Sequence, residues 1–192
     1  YERLSGVIYG ETKRLRYQVE KVLQMSLYEG GNIALKMQPL DASELIESVV
    51  QTFNIKVVQN GGTIETNLDA VNSTIKADEM HFTNIIYNLM DNAVKYKRDD
   101  VGLQLIVSTR SDSTHLYIQV EDNGIGIHRD DLKRIFDKFY RVPTGNTHNV
   151  KGFGLGLAYV RKMVELHHGT IKATSELGKG TRFMITLPLY KE

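Results

Sequence analysis

Residues 84–96 read NIIYNLMDNAVKY, and this stretch decides how the rest of the chain is read. Asparagines stand at 84, 88 and 92, a spacing that puts all three on one face of a helix. Phe82, Ile85, Ile86, Leu89 and Ala93 supply the apolar positions of the same helix. Asparagine is a poor helix former, because its amide competes with the backbone for hydrogen bonds, so a triple repeat is wasteful unless it is used. An amide oxygen is a neutral, hard ligand that suits Mg²⁺, which takes its other ligands from water and phosphate. Lys95 lies one turn beyond Asn92, within reach of a phosphate. The competing reading is a polar helix face turned to water.

Working outward, Asp78 precedes this helix as a capping oxygen, and Asp41-Ala-Ser-Glu44 has the same signature for an earlier one. Leu45, Val49, Phe53 and Val57 continue one apolar face there, and Gly61-Gly62 closes it. Short strands are predicted within 33–40, 63–68 and 73–77. Alternation around Ser111-Asp112-Ser113 predicts a hairpin over 103–109 and 115–120. Residues 155–168 read as a helix stopped by Gly169, and strands over 170–175 and 182–187 join through Gly178-Lys179-Gly180. Paired strands separated by about three helices predict an α+β fold. Before all of this, Leu4, Ile8, Leu15, Val19, Val22 and Leu23 form one seam of an amphipathic helix over residues 1–29, ended by Gly30-Gly31-Asn32. Such a seam either docks on the following domain or self-associates as a bundle; its narrow stripe and charged flanks favour the bundle.

Composition removes several classes of function. The 192 residues contain no cysteine, so disulfide frameworks, thiolate zinc sites and cysteine nucleophiles are excluded. Lys+Arg number 24 against Asp+Glu 23, which leaves no broad basic surface for nucleic acid or anionic lipid. No apolar run reaches the ~18 residues of a membrane span. The chain opens at Tyr1 rather than methionine, as a piece of something longer would.

Three further segments carry chemistry. Asp122-Asn-Gly124-Ile-Gly126 follows a predicted strand; its carboxylate suits an exocyclic amine such as that of adenine, and its glycines admit a flat ligand, although Asp-Asn-Gly is also ordinary turn chemistry. Gly152-Phe-Gly154-Leu-Gly156-Leu157 leads into a helix, where free amides and the helix dipole favour an anion. It is neither the dinucleotide fingerprint nor a Walker loop. Residues 142–150 ahead of it read as a lid that folds over a bound nucleotide. Phe136, Phe139 and Tyr140 anchor one end of that lid to the core, and Arg141 is placed to reach phosphate.

Taken in order (asparagine helix, Asp-x-Gly-x-Gly, aromatic box, Gly-x-Gly-x-Gly, then Gly178-Lys-Gly-Thr181), these motifs resemble the catalytic, ATP-binding domain of sensor histidine kinases. That domain belongs to the superfamily of gyrase B, the MutL proteins and the ninety-kilodalton heat-shock chaperone. The resemblance covers roughly residues 38–190. It implies a two-layer α/β sandwich, with a mixed, mostly antiparallel sheet facing three helices, preceded here by the long N-terminal helix. It implies ATP and Mg²⁺ as cofactors, with Asn92 and Asn88 at the metal, Lys95 and Arg141 at the phosphates, and Asn88, Lys95 and Arg141 as the catalytic set. Tyr96 sits beside the nucleotide, Asp122 reads adenine with Gly124 and Gly126, and Thr181 acts beside Asp122. Gly152, Gly154, Gly156 and Leu157 flank the triphosphate, and Lys151 is a further phosphate candidate from its position alone. Hydrolytic relatives and the serine-kinase anti-sigma factors carry glutamate where Asn88 stands. Asn88 cannot act as that base, and a neutral imidazole acceptor needs none, so the resemblance points to transfer onto histidine.

The resemblance also places a phosphoacceptor histidine, followed by a carboxylate, on the first helix of a dimeric hairpin. None of the six histidines fits, although His81 is a family option for an assisting role. Residues 1–31 then correspond to the second helix of that hairpin, 32–37 to a linker and 38–192 to the catalytic domain. The implied partners are ATP, a separate phosphoacceptor dimerisation domain, a response regulator receiver domain and, in the parent, a second copy. No nucleic acid or membrane contact is expected of the fragment, whose expected place is the cytoplasm, beneath a parent anchored in the bacterial inner membrane.

Overall fold

A computed structural model describes residues 33–142 and 156–191. The expected helix over 1–29, the glycines at 30–31 and most of the lid lie outside the described residues. A boundary between Leu35 and Lys36 divides the chain into two units, and the second carries every element below. These are β1 (Gln38–Asp41), α1 (Ala42–Gln59), β2 (Thr63–Leu68), β3 (Thr74–Ala77), α2 (Glu79–Lys95), β4 (Gln104–Ser111) and β5 (His115–Asp122), then α3 (Arg129–Leu132), α4 (Gly156–Leu166), β6 (Thr170–Glu176) and β7 (Gly180–Pro188).

Five strands form one sheet in the order β2-β4-β5-β7-β6. Only the β2–β4 pair is parallel, with Thr63 opposite Gln104; the other three pairings are antiparallel. β1 and β3 pair separately as an antiparallel ribbon. The sheet is apolar on one side only. Leu105 and Val107 on β4, Leu116, Ile118 and Val120 on β5, and Phe183, Ile185 and Leu187 on β7 are buried, while their sequence neighbours are less so. Against that face lie α1, α2 and α4, whose buried stripes include Ile46 and Phe53, Phe82 and Leu89, and Val160 and Met163. The architecture is the α+β two-layer sandwich that the motifs imply, with the short α3 as a fourth helix. No helix among the described residues is long and apolar enough to cross a membrane.

Both caps form as their residue types predict. Asp41 accepts from the Glu44 amide at 3.1 Å, and Asp78 from the His81 amide at the same distance. Helix α4 ends differently from expectation. The left-handed residue is His168 (φ 61°), one before Gly169, whose amide donates to the Val164 carbonyl at 2.9 Å in a Schellman-type closure. Two apolar assignments also shift. Ile46, fully buried, rather than half-buried Leu45, leads the inner face of α1. Phe139 is 60 % exposed, so it does not anchor to the core; Phe136 does, edge-on to Phe183 with ring centroids 6.3 Å apart.

α2 and α4 are tied by a buried polar seam. The His81 Nδ1 meets the Tyr159 hydroxyl at 2.7 Å. His167 Nε2 accepts from the Asp78 amide at 3.0 Å, and its Nδ1 lies 2.7 Å from the Met163 carbonyl. A carbonyl cannot donate, so Nδ1 carries the proton and the ring is neutral. Burial pulls its pKa below the ordinary value of 6.5.

Candidate nucleotide site

A cleft opens where α2 ends, where β5 runs into the Asp122–Ile127 turn, and where β7 begins. Asn92 and Tyr96 line it from α2, Asp122, Gly126 and Ile127 from the turn, and Thr181 and Phe183 from β7. Ile135, Tyr140 and Arg141 close one end, and Leu157 enters from the first turn of α4. The wall is largely apolar, with a few convergent polar groups, as small-molecule sites usually are.

Asp122 is the central polar group. It is the last residue of β5, directly opposite Thr181 in the sheet register. Its Oδ1 accepts from the Gly124 amide at 2.8 Å, and the Thr181 amide also donates to the carboxylate. Burial nevertheless pushes its pKa from 3.8 to about 6, outweighing the two donors. The carboxylate is therefore poorly solvated and mostly ionised at neutral pH, which suits it to accept from a neutral N–H donor.

Backbone geometry shapes the turn around Asp122. Gly126 has φ 70°, and a Cβ there would run into the Glu176 carbonyl. Gly180 has φ 127°, and a Cβ there would strike the Asp122 carbonyl. Only glycine permits both approaches. Ser175, which the sequence reading missed, locks the arrangement: its Oγ accepts from the Ile127 amide at 2.8 Å and donates to the Gly180 carbonyl at 2.7 Å. Its Oγ also meets Thr181 Oγ1 at 2.9 Å, so the Thr181 hydroxyl is oriented beside Asp122. No local signal marks Ser175, because its partners lie on two other segments.

The asparagine face forms as predicted, with Asn84, Asn88 and Asn92 all half-buried. Asn92 lines the cleft. Asn88, one turn back, donates through Nδ2 to the Asn84 carbonyl at 2.7 Å and turns its Oδ1 toward Gly156, where a Cβ would lie 3.3 Å away. The start of α4 therefore meets the asparagine face. Tyr96 caps α2, its amide bonded to the Asn92 carbonyl at 3.0 Å and its own carbonyl accepting from Ile125 at 2.9 Å. His81 is 5 % exposed and absent from the cleft wall, so it secures Tyr159 rather than assisting there.

Lys95 meets a carboxylate one turn back on the same helix. Its Nζ lies 2.8 Å from Asp91 Oδ2, and Lys95 does not line the cleft. Asp91 Oδ1 is held by Lys56 Nζ of α1 at 2.5 Å. Burial raises the Asp91 carboxyl, but Lys95 and Lys56 together hold it below its ordinary value. Neither Asp91 nor Lys56 was singled out by the sequence. Arg141 is exposed at the cleft mouth, and Lys151, Gly152 and Gly154 lie outside the described residues.

Known proteins resemble this chain in sequence and in fold. The sensor protein RprX of Bacteroides fragilis is 58 % identical over 191 residues, which span all of this chain and 37 % of that protein. The sensor histidine kinase WalK of Bacillus subtilis is 32 % identical over 190 residues, 99 % of this chain and 31 % of that protein. The chain thus spans about a third of the length of these relatives. Among solved structures, full-length ShkA in complex with AMPPNP superposes with a TM-score of 0.79 at 25 % identity, covering 93 % of this chain and 36 % of that one. The catalytic domain of histidine kinase ThkA shares the fold, with a TM-score of 0.68 at 22 % identity over 80 % of this chain and 98 % of that domain. The model of the family described as Histidine kinase-, DNA gyrase B-, and HSP90-like ATPase matches residues 77–191, which hold α2, Asp122 and the whole described cleft, and the chain belongs to that family.

Proposed function

We propose that this chain is the catalytic piece of a two-component sensor histidine kinase, binding ATP with Mg²⁺ and passing the γ-phosphoryl to a histidine on a separate dimerisation domain. The observation that carries the reading is Asp122: a half-buried carboxylate, pushed up to about 6, at the floor of an apolar cleft that Asn92 also lines. Asp122 accepts from the adenine amino group, the isoleucines and Phe183 cover the base, and Thr181 stands beside it. The donor set fits Mg²⁺. The amide oxygen of Asn92, with Asn88 adjacent, would hold the ion, which usually keeps water and phosphate oxygens as further ligands. When bound, Mg²⁺ neutralises the charge that develops on the transferring phosphoryl group.

The chain's own residues then position and neutralise. Arg141 at the cleft mouth and Lys95 supply positive charge at the phosphates, and the start of α4, with Lys151, Gly152 and Gly154 before it and Gly156 and Leu157 in its first turn, supplies amides and the helix dipole. An imidazole nitrogen of the acceptor forms the new P–N bond as the bond from γ-phosphorus to the bridging oxygen breaks, and ADP leaves. Asn88 removes no proton, and a neutral imidazole requires no base. Residues 1–31 act as the second helix of the dimerisation hairpin, 32–37 as the linker and 38–192 as the catalytic domain. The parent works as a membrane-anchored dimer, and a receiver domain takes the phosphoryl group from the histidine. The test is transfer from labelled ATP to a supplied acceptor domain by the wild type and by Asn92→Ala. Transfer that collapses in the variant supports the assignment; equal transfer by both overturns the metal role.

A further inference from the structure

Lys56 lies on α1, 35 residues before Asp91, and has no place in the cleft wall. Yet it shares one carboxylate with Lys95. Asp91 is 6 % exposed; its Oδ1 meets Lys56 at 2.5 Å and its Oδ2 meets Lys95 at 2.8 Å. Lys56 is steadied by the faces of Phe53 and Tyr87, whose ring centroids lie 5.7 and 5.8 Å from its Nζ. The cluster therefore sets two ammonium groups against the same carboxylate, beside the last turn of α2.

Helix geometry shows where Lys95 can reach. At 3.6 residues per turn, Lys95 projects about 40° round the helix from Asp91 and about 60° from Asn92, on the side between them. Its four-carbon stem is long enough to reach toward either, and the Nζ rests on Asp91 in this structure. Moving it to a phosphate beside Asn92 strips a partner from a buried carboxylate. Leaving such a group unpaired is among the most costly single losses in a fold. With Lys56 in place the carboxylate keeps a counter-ion whichever way Lys95 points.

We infer that Lys56 is a positioning residue for nucleotide binding: it neutralises Asp91 and so releases Lys95 to the phosphates. The inference rests on the proposed ATP site and deepens it. In Lys56→Met the carboxylate has Lys95 as its sole partner and retains it, so nucleotide binding weakens on the order of tenfold. Lys56→Arg restores a cation and restores affinity. In Lys56→Met/Asp91→Asn the carboxylate is gone and no longer competes with phosphate for Lys95, and affinity returns to within about twofold of wild type.

The experiment is calorimetric titration of the whole chain with a non-hydrolysable ATP analogue and Mg²⁺, with thermal melts to establish that each variant is folded. It includes Lys56→Met in a Lys95→Met background. The inference predicts that Lys56→Met costs nothing further there, because the lysine it acts through is gone. An equal loss in both backgrounds overturns it, as does a folded Lys56→Met/Asp91→Asn variant that binds as weakly as Lys56→Met. Failure of the wild type to bind the analogue overturns the ATP site itself and the inference with it, whereas wild-type binding with additive losses overturns the role of Lys56 alone.

Discussion

Asp122 makes the binding cleft a source of instability, and this can be measured without any ligand. Burial lifts its pKa from 3.8 to about 6. A carboxyl with a raised folded-state pKa binds its proton more tightly in the fold than in the unfolded chain. Stability from this group is therefore greatest at low pH and is lost as pH rises through the interval from about 4 to about 6. At about 1.4 kcal/mol per pK unit, the linkage amounts to about 2 kcal/mol between pH 4 and pH 7. Asp122→Asn removes the titration but keeps one acceptor oxygen for the Gly124 amide. Urea denaturation of both proteins at half-unit steps from pH 4 to pH 7 isolates the effect, because all other titrating groups cancel in the difference. The wild type should lose about 2 kcal/mol relative to Asp122→Asn across that range. Parallel profiles would refute the reasoning, since they would mean that Asp122 is solvated and not held as described. The same substitution should abolish detectable binding of the ATP analogue, so the apo fold gains at neutral pH while the site is lost.

Other consequences follow from particular contacts. His167 is buried neutral, with its pKa depressed, so the fold should lose stability as pH falls from the unfolded value of 6.5 toward the folded one. A denaturation series should show that dependence weakened in His167→Gln, and an unchanged series would refute it. Gly126→Ala should cost at least about 1–3 kcal/mol from its left-handed φ alone, before the clash with Glu176, and calorimetric melting checks it. Ile46→Ala should cost about 2–5 kcal/mol in chemical denaturation, and Leu45→Ala clearly less, because Ile46 faces the core.

Local chemistry was legible in the sequence wherever one short segment contained the whole signal. The two Asp caps, the hairpin around Asp112 and the asparagine face all stand where their residue types place them. The misreading on α1 has a geometric cause. Positions 45, 49, 53 and 57 recur every four residues, and each step turns about 40° past a full revolution. Over three steps the stripe drifts about a third of the way round, so its first member leaves the buried face and Ile46 replaces it. In the aromatic box, three rings within five residues look like one anchor in the sequence, but only part of it forms. Phe139, at φ 62°, is turned to solvent, while Tyr140 donates to Asp131 and lies under Arg134 at 4.2 Å.

Long-range partners were not legible at all. Lys95 reads as a phosphate ligand because the sequence shows its distance from Asn92; it does not show that Asp91 at i−4 is buried. Nor does it show that Lys56, from another helix, meets the same carboxylate. Ser175 is silent for the same reason, since its three partners come from the Asp122–Ile127 turn and the start of β7.

The central proposal is that this chain transfers phosphoryl groups rather than hydrolysing ATP, with Asn88 at the position where the family resemblance puts the water-activating carboxylate of hydrolytic relatives. The most direct measurement follows radiolabelled ATP consumed by the purified chain, with and without an added dimerisation domain bearing the acceptor histidine. The account predicts acid-labile label on the added domain, none on the chain itself and negligible ATP consumption in the domain's absence. Steady ATP turnover without the acceptor would contradict it.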